Sequence, residues 1–267
     1  MFADLHFSVA TRKHAEEIEE FLHAEFGTRE PMTVCLNPSR AELSDNFRDL
    51  AHAGYSNEKY STLVHQRDRL IGICLCSVST NDGSEEAAIS QVEAVNDDYA
   101  DGMQSYVKTL SIVRISEIAK GRYKQHKANQ LTVFVDAMER ALRRLPGPFT
   151  KYLKIDILCV AGDAKGKKKQ ANFEGKSRAG TPSLQNCRRG LGKELVQRSI
   201  KIARAEGCEW VTAVATAAAS QAIFSRLGFE TIYEIPFANF RENGVVVFNN
   251  LSDGCSSGKL VALRLND

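Results

Sequence analysis

The residues whose spacing could do chemistry cluster in Arg188-Arg189-Gly190-Leu191-Gly192-Lys193, between an apolar strand and a helix. Glycines at 190 and 192 let the backbone turn tightly and come close to a ligand. A helix starting there points unpaired N–H groups and its positive dipole end back at the turn. With Arg188, Arg189 and Lys193 these donors suit a diphosphate. A helix start that happens to be basic is the other reading of the same residues. Gly175-Lys176-Ser177 imitates the end of a P-loop, but Gln170 stands where its first glycine belongs. A dinucleotide fingerprint fails for want of a third glycine.

The elements around this turn follow from hydrophobic period and breakers. Spacing predicts helices over 14–26, from about 38 toward 52, over 131–145, 190–205 and 220–227. Thr11 is placed to cap the first, and Gly27 with Pro31 to stop it. Strands are expected at 61–65 and 70–78, joined by residues 66–69 as a hairpin, and at 153–160, 210–215, 229–235, 245–248 and 260–265. Strands alternating with helices through the second half indicate an α/β or α+β sheet with helices on its faces. Between 161 and 186, Lys165, Lys167, Lys168, Lys169, Lys176 and Arg178 lie among small polar residues and read as a flexible basic insertion in one domain spanning 1–267.

Composition narrows the function classes. Hydrophobic residues make up 43% and charged residues 25% of the 267, which is ordinary for a globular chain. No apolar run is long enough to span a bilayer, and the first ten residues do not read as a secretory signal. Seven cysteines without CxxC pairing read as reduced thiols, so a cytoplasmic location is expected. The six histidines have no ligand spacing, so no metal is expected. A net charge of +2 does not call for nucleic acid, and the basic insertion offers only Phe173 for stacking.

Arg189-Gly190-Leu191-Gly192 after an apolar strand, followed by Ala222-Ile223-Phe224-Ser225-Arg226-Leu227-Gly228-Phe229, resembles the GNAT superfamily of acyl-CoA N-acyltransferases. Within it the chain is similar to insect-type arylalkylamine N-acetyltransferases. The carrying residues are Glu30-Pro31-Met32, Thr216 and Ser220 around Ala217-Ala218-Ala219, and Phe237-Ala238-Asn239-Phe240 with Gly244-Val245-Val246-Val247-Phe248. Three positions depart from the pattern. Cys187 stands where Gln or Arg is usual, Thr216 replaces a serine, and the insertion is longer than expected.

The resemblance implies a GNAT fold, a mixed central sheet splayed at the acyl-CoA site, with helices on both faces. It implies acetyl-CoA as co-substrate, direct attack by a small-molecule amine on the thioester, and a monomer with neither nucleic acid nor membrane as partner. Arg188, Arg189, Gly190, Leu191, Gly192 and Lys193 then hold the diphosphate, while Leu158, Cys159 and Val160 pair with the pantetheine arm. Glu30 is the base position; Thr216 and Ser220 supply hydroxyls near the thioester, although capping is the default for Ser220. A solvated loop glutamate is the plain reading of Glu30 without the resemblance. Phe26, Tyr55, Phe237 and Phe240 are aromatic candidates for an amine pocket or for core. The amine is expected to be an arylalkylamine; another small amine, such as a polyamine or amino-acid derivative, and a non-catalytic acyl-CoA-binding module are the alternatives.

Overall fold

A computed structural model describes residues 4–80, 118–146, 149–162 and 190–265. Much of the 161–186 insertion, with Cys187, Arg188 and Arg189, lies outside the described residues. Seven strands form one mixed sheet in the order β1-β2-β3-β4-β5-β9-β6. They are β1 (Leu5–Val9), β2 (Thr62–Gln66), β3 (Arg69–Thr80), β4 (Lys151–Val160), β5 (Trp210–Ala215), β6 (Glu230–Pro236) and β9 (Ser257–Arg264). Every neighbouring pair is antiparallel except β4 and β5, which run parallel. The helices are α1 (Ala15–Phe21), α2 (Pro31–Leu36), α3 (Arg40–Tyr55), α4 (His126–Glu139), α5 (Leu191–Ala205) and α6 (Ala218–Arg226).

Helices cover both faces of the sheet, as expected. Successive side chains of a strand point to opposite faces. On β3, Cys74 and Cys76 meet Ser199 of α5, while Leu75 between them packs over Gly54 of α3. The helices α3 and α5 therefore lie on opposite sides. A Cβ on Gly54 would fall 2.8 Å from Leu75, so the close approach at this point requires glycine.

Several elements differ from the sequence reading, each for a local reason. The first helix is not uniform: a 3-10 turn (Arg12–His14) precedes α1, and a π turn (Leu22–Phe26) follows it. Pro31, read as a stop, instead opens α2, because its fixed φ and missing N–H suit the first helical position. Strand β1 was not anticipated. The stretch read as a strand over 245–248 contributes only β8 (Val245–Val246), which pairs with β7 (Arg241–Glu242) in a separate ribbon. Phe237, Phe240 and Phe248 close instead around Phe134 of α4, with ring centroids 5.2–5.4 Å from it. Phe237 and Phe240 are thus core. Among the described residues no helix is long and apolar enough to cross a membrane.

Candidate active site

The parallel pair β4–β5 is bonded only from Tyr152↔Trp210 to Ile155↔Ala213. Beyond that point β4 continues to Val160 and β5 to Ala215 without pairing to each other. The parting coincides with an irregularity in β4. Against β3, Leu75 pairs with Ile157 and Cys76 with Ile155, so Asp156 has no partner in the ladder. An extra residue of this kind bends the strand and ends regular pairing. The edge of β4 that faces the gap offers backbone donors and acceptors, as an edge strand does. One of them is occupied: the Val160 carbonyl accepts a 2.8 Å bond from Arg29 Nη1.

A cavity of about 540 Å³ opens at this gap. Its wall includes Leu158, Cys159 and Val160 from β4, Gly192 from α5, and Thr216 and Ser220 beyond β5. The sequence-predicted residues Glu30, Leu158, Cys159, Val160, Gly192, Thr216 and Ser220 are therefore brought together. Gly190, Leu191 and Lys193 form the first turn of α5 beside Gly192. The side chain of Leu191 is fully buried, so its peptide N–H is what it can offer a ligand.

The two glycines of the turn do different things. Gly190 has φ 89°, a left-handed conformation that favours glycine. Gly192 has no such requirement; a Cβ there would sit 3.0 Å from Ile223 Cδ1. Its role is close packing of α5 on α6. The N–H groups of Leu191, Gly192 and Lys193 belong to the first turn, which has no intrahelical acceptors. This turn and the open β4 edge fit a diphosphate joined to an amide-bearing arm.

Glu30 is the N-cap of α2, and its carboxylate is held at both oxygens. Oε2 accepts from the backbone N and the Oγ1 of Thr33, each at 2.7 Å. Oε1 accepts from Thr216 Oγ1 at 2.9 Å, across 186 positions of sequence. A carboxylate gripped at three points is a fixed acceptor, not a solvated loop group. The methyl of Thr216 leaves its hydroxyl free to make this bond, so the departure from serine keeps the donor. Ser220 is not a cap. Its hydroxyl donates to the Ala217 carbonyl at 2.9 Å, while Asp253 Oδ2 accepts from Ala218 N at 2.7 Å and caps α6 from a distant loop.

Thr33 and the charged residues of the cavity wall other than Glu30 were missed in sequence. Glu30 is not among the usual capping residues, and Pro31 at the first helical position was the signal that could have disclosed the helix start. Beyond Glu30, the cavity wall carries Asp49, Asp136, Glu139 and Asp156 against Arg122 and Lys154. Lys154 Nζ lies 3.0 Å from both Glu139 Oε2 and Asp156 Oδ1. Burial alone would lower the ammonium's pKa, but Asp156 and Glu139 outweigh it and hold it raised. Burial also raises Glu139, against the pull of Lys154. The Cys159 thiol is pushed up to about 12 by burial, which removes it as a nucleophile near neutrality. Of the aromatic candidates, Phe26 is on the wall together with Phe47, Tyr123 and Phe224; Tyr55 is not among the lining residues. Among the described residues no group of His, Cys, Asp or Glu could hold a metal ion.

Residues 187–229 match the acetyltransferase (GNAT) family. The chain aligns with the crystal structure of arylalkylamine N-acetyltransferase 2 from Aedes aegypti over 98% of its own length and 100% of that chain, with a TM-score of 0.65 and 16% identity. The chain has the GNAT fold. A mosquito arylalkylamine N-acetyltransferase-like 5b has the same coverage, a TM-score of 0.64 and 15% identity. A Drosophila melanogaster polyamine N-acetyltransferase, described as forming N-acetylagmatine, has a TM-score of 0.62 and 16% identity, again over 98% of this chain and 100% of that one. No curated protein matches significantly. The family match covers residues 187–229, and the likeness over the rest of the chain is one of fold.

Proposed function

We propose that the chain is an acetyl-CoA-dependent N-acetyltransferase that acylates the primary amine of an arylalkylamine by direct attack. The observation that carries this reading is the carboxylate of Glu30, fixed by Thr33 and Thr216 on the wall of a cavity that opens where β4 and β5 part. A primary alkylamine resembles the lysine ammonium, so freeing its lone pair near pH 7 costs about 4–5 kcal/mol. A carboxylate held in one orientation receives that proton, directly or through one water. Acetyl-CoA, when bound, supplies an activated thioester carbonyl. The first turn of α5, with Arg188, Arg189 and Lys193, holds the diphosphate, and the β4 edge at Leu158, Cys159 and Val160 aligns the arm. Thr216 orients Glu30, and the Ser220 hydroxyl, after rotating away from Ala217, passes a proton to the departing thiolate as it takes one from the attacking nitrogen. Phe26, Phe47 and Tyr123 give an aromatic amine a surface to stack on.

A second reading, a dibasic amine such as a polyamine or agmatine, is favoured by the charge of the cavity wall. Besides Glu30 the wall carries Glu25, Asp49, Asp136, Glu139 and Asp156 against Arg29, Arg122 and Lys154, which leaves negative charge for a second positive group. The test is thiol release from acetyl-CoA with a panel of arylalkylamines, polyamines and amino acids. Preference for the aromatic amines supports the first reading and preference for polyamines the second. Acetyl-CoA binding without thiol release for any amine would leave only a binding module.

A further inference from the structure

An unpaired Asp156 in the middle of a strand needs a physical reason to stay there. A carboxylate partly sunk in a sheet is costly unless it is paired and hydrogen-bonded. Asp156 has two partners: Ser77 Oγ donates to Oδ2 at 2.8 Å, and Lys154 Nζ lies 3.0 Å from Oδ1. Ser77 belongs to the neighbouring strand, where it is the register partner of Lys154. Lys154 is gripped in turn by both oxygens of Glu139, at 3.1 and 3.0 Å, which ties the network to α4. The chain is continuous from a helix on one face, through the lysine, to the bulged residue. Its position is also specific, since the last β4–β5 pair is Ile155↔Ala213, immediately before Asp156.

We infer that Lys154, Asp156 and Ser77 form a polar clamp that keeps the bulge in β4 and so keeps the cleft between β4 and β5 open for the coenzyme. Without its partners, Asp156 would be relieved most simply by removing the bulge. The strand would then extend its pairing with β5, recovering backbone bonds that the cleft forgoes. Lys154 and Asp156 are positioning residues here: they act through the strand on the arm of the coenzyme. This assignment rests on the reading above, in which acyl-CoA lies along that edge.

Calorimetric titration with CoA alone, beside a thermal melt of each preparation, tests the clamp. Wild type, Asp156→Asn, Lys154→Met, Lys154→Arg and Ser77→Ala are compared. Asp156→Asn and Lys154→Met are expected to weaken CoA at least tenfold while still melting cooperatively. Lys154→Arg, which keeps the cation, should stay within threefold of wild type. Equal CoA affinity in Asp156→Asn overturns the clamp, as does a higher amine KM with unchanged CoA binding, which would make the residues amine contacts. Losses in all variants that simply follow the melting temperature, Lys154→Arg included, overturn it too. Should the first two variants not fold, Ser77→Ala removes one donor alone, and wild-type affinity there counts against the clamp. A wild-type chain that binds no CoA refutes the coenzyme reading itself, and that result is separate from any difference between variants.

Discussion

Replacing Thr216 by Val keeps the shape of the side chain and deletes one hydroxyl. In the structure that hydroxyl makes the single bond to Glu30 Oε1, at 2.9 Å, whereas Oε2 keeps both bonds from Thr33. A hydrogen bond to a charged group is worth about 1.5–3 kcal/mol. Because Thr33 continues to hold the carboxylate, the lower part of that range applies, about 1.5–2 kcal/mol. At about 1.4 kcal/mol per factor of ten, kcat/KM should fall roughly 10- to 30-fold. The loss should appear in kcat, since in the proposed mechanism Thr216 acts by orienting Glu30. Steady-state thiol release, with CoA titrated separately, measures both quantities. Thr216→Ser should retain most activity. Thr216→Val within twofold of wild type, or a loss explained wholly by weaker CoA binding, would refute the link between this hydroxyl and Glu30.

Further outcomes follow from single positions. Gly190→Val should weaken CoA binding more than Gly190→Asn, because φ 89° is strained for any side chain and worst for a branched one, at about 1–2 kcal/mol; equal affinities by calorimetry would count against the turn. Gly192→Val should instead lower the melting temperature, since its methyls would press on Ile223 Cδ1, 3.0 Å from the first added carbon. The Cys159 thiol should resist iodoacetamide at pH 8 in the folded protein and react after denaturation, as burial holds it up near about 12. His23 is lowered from its usual value by burial, so the unfolded chain binds more protons than the folded one just below about pH 6.5. Stability from His23 is therefore present above that pH and lost as pH falls toward the folded value. His14 is shifted the same way and adds to the slope. His23→Phe, which keeps a ring beside Phe47, should flatten a plot of melting temperature between pH 7 and 5.

The strongly periodic segments were legible in sequence because local pattern and tertiary packing agree there. The span 210–215 is strand β5 as read, and α5 begins one residue after Gly190. Errors arose where one residue type serves two purposes. Pro31 can close one helix or open the next, and only the carboxylate cap at Glu30 shows which. The apolar run 245–248 has strand composition, yet it pairs only with the short segment 240–242, the Val247 N–H donating to the Phe240 carbonyl, and Phe248 closes the aromatic core. The candidate site residues came from the resemblance, not from spacing, because Glu30 and Thr216 meet across most of the chain. The acidic wall was invisible for the same reason: Asp49 comes from α3, Asp136 and Glu139 from α4, and Asp156 from β4. The polar interruptions of residues 153–160, Lys154 and Asp156, do not by themselves distinguish a bulge from a regular strand with one solvated face, so the point of parting could not be read from sequence.

The central claim is that the gap between β4 and β5 receives acyl-CoA and presents its thioester beside Glu30. A crystal structure with acetyl-CoA tests this most directly. The diphosphate is expected on the first turn of α5 from Gly190 to Lys193, the arm along Leu158 to Val160, and the thioester on the same cavity wall as Glu30 and Thr216. Coenzyme bound elsewhere on the fold, with the Arg29 bond to Val160 kept and the gap empty, would contradict this.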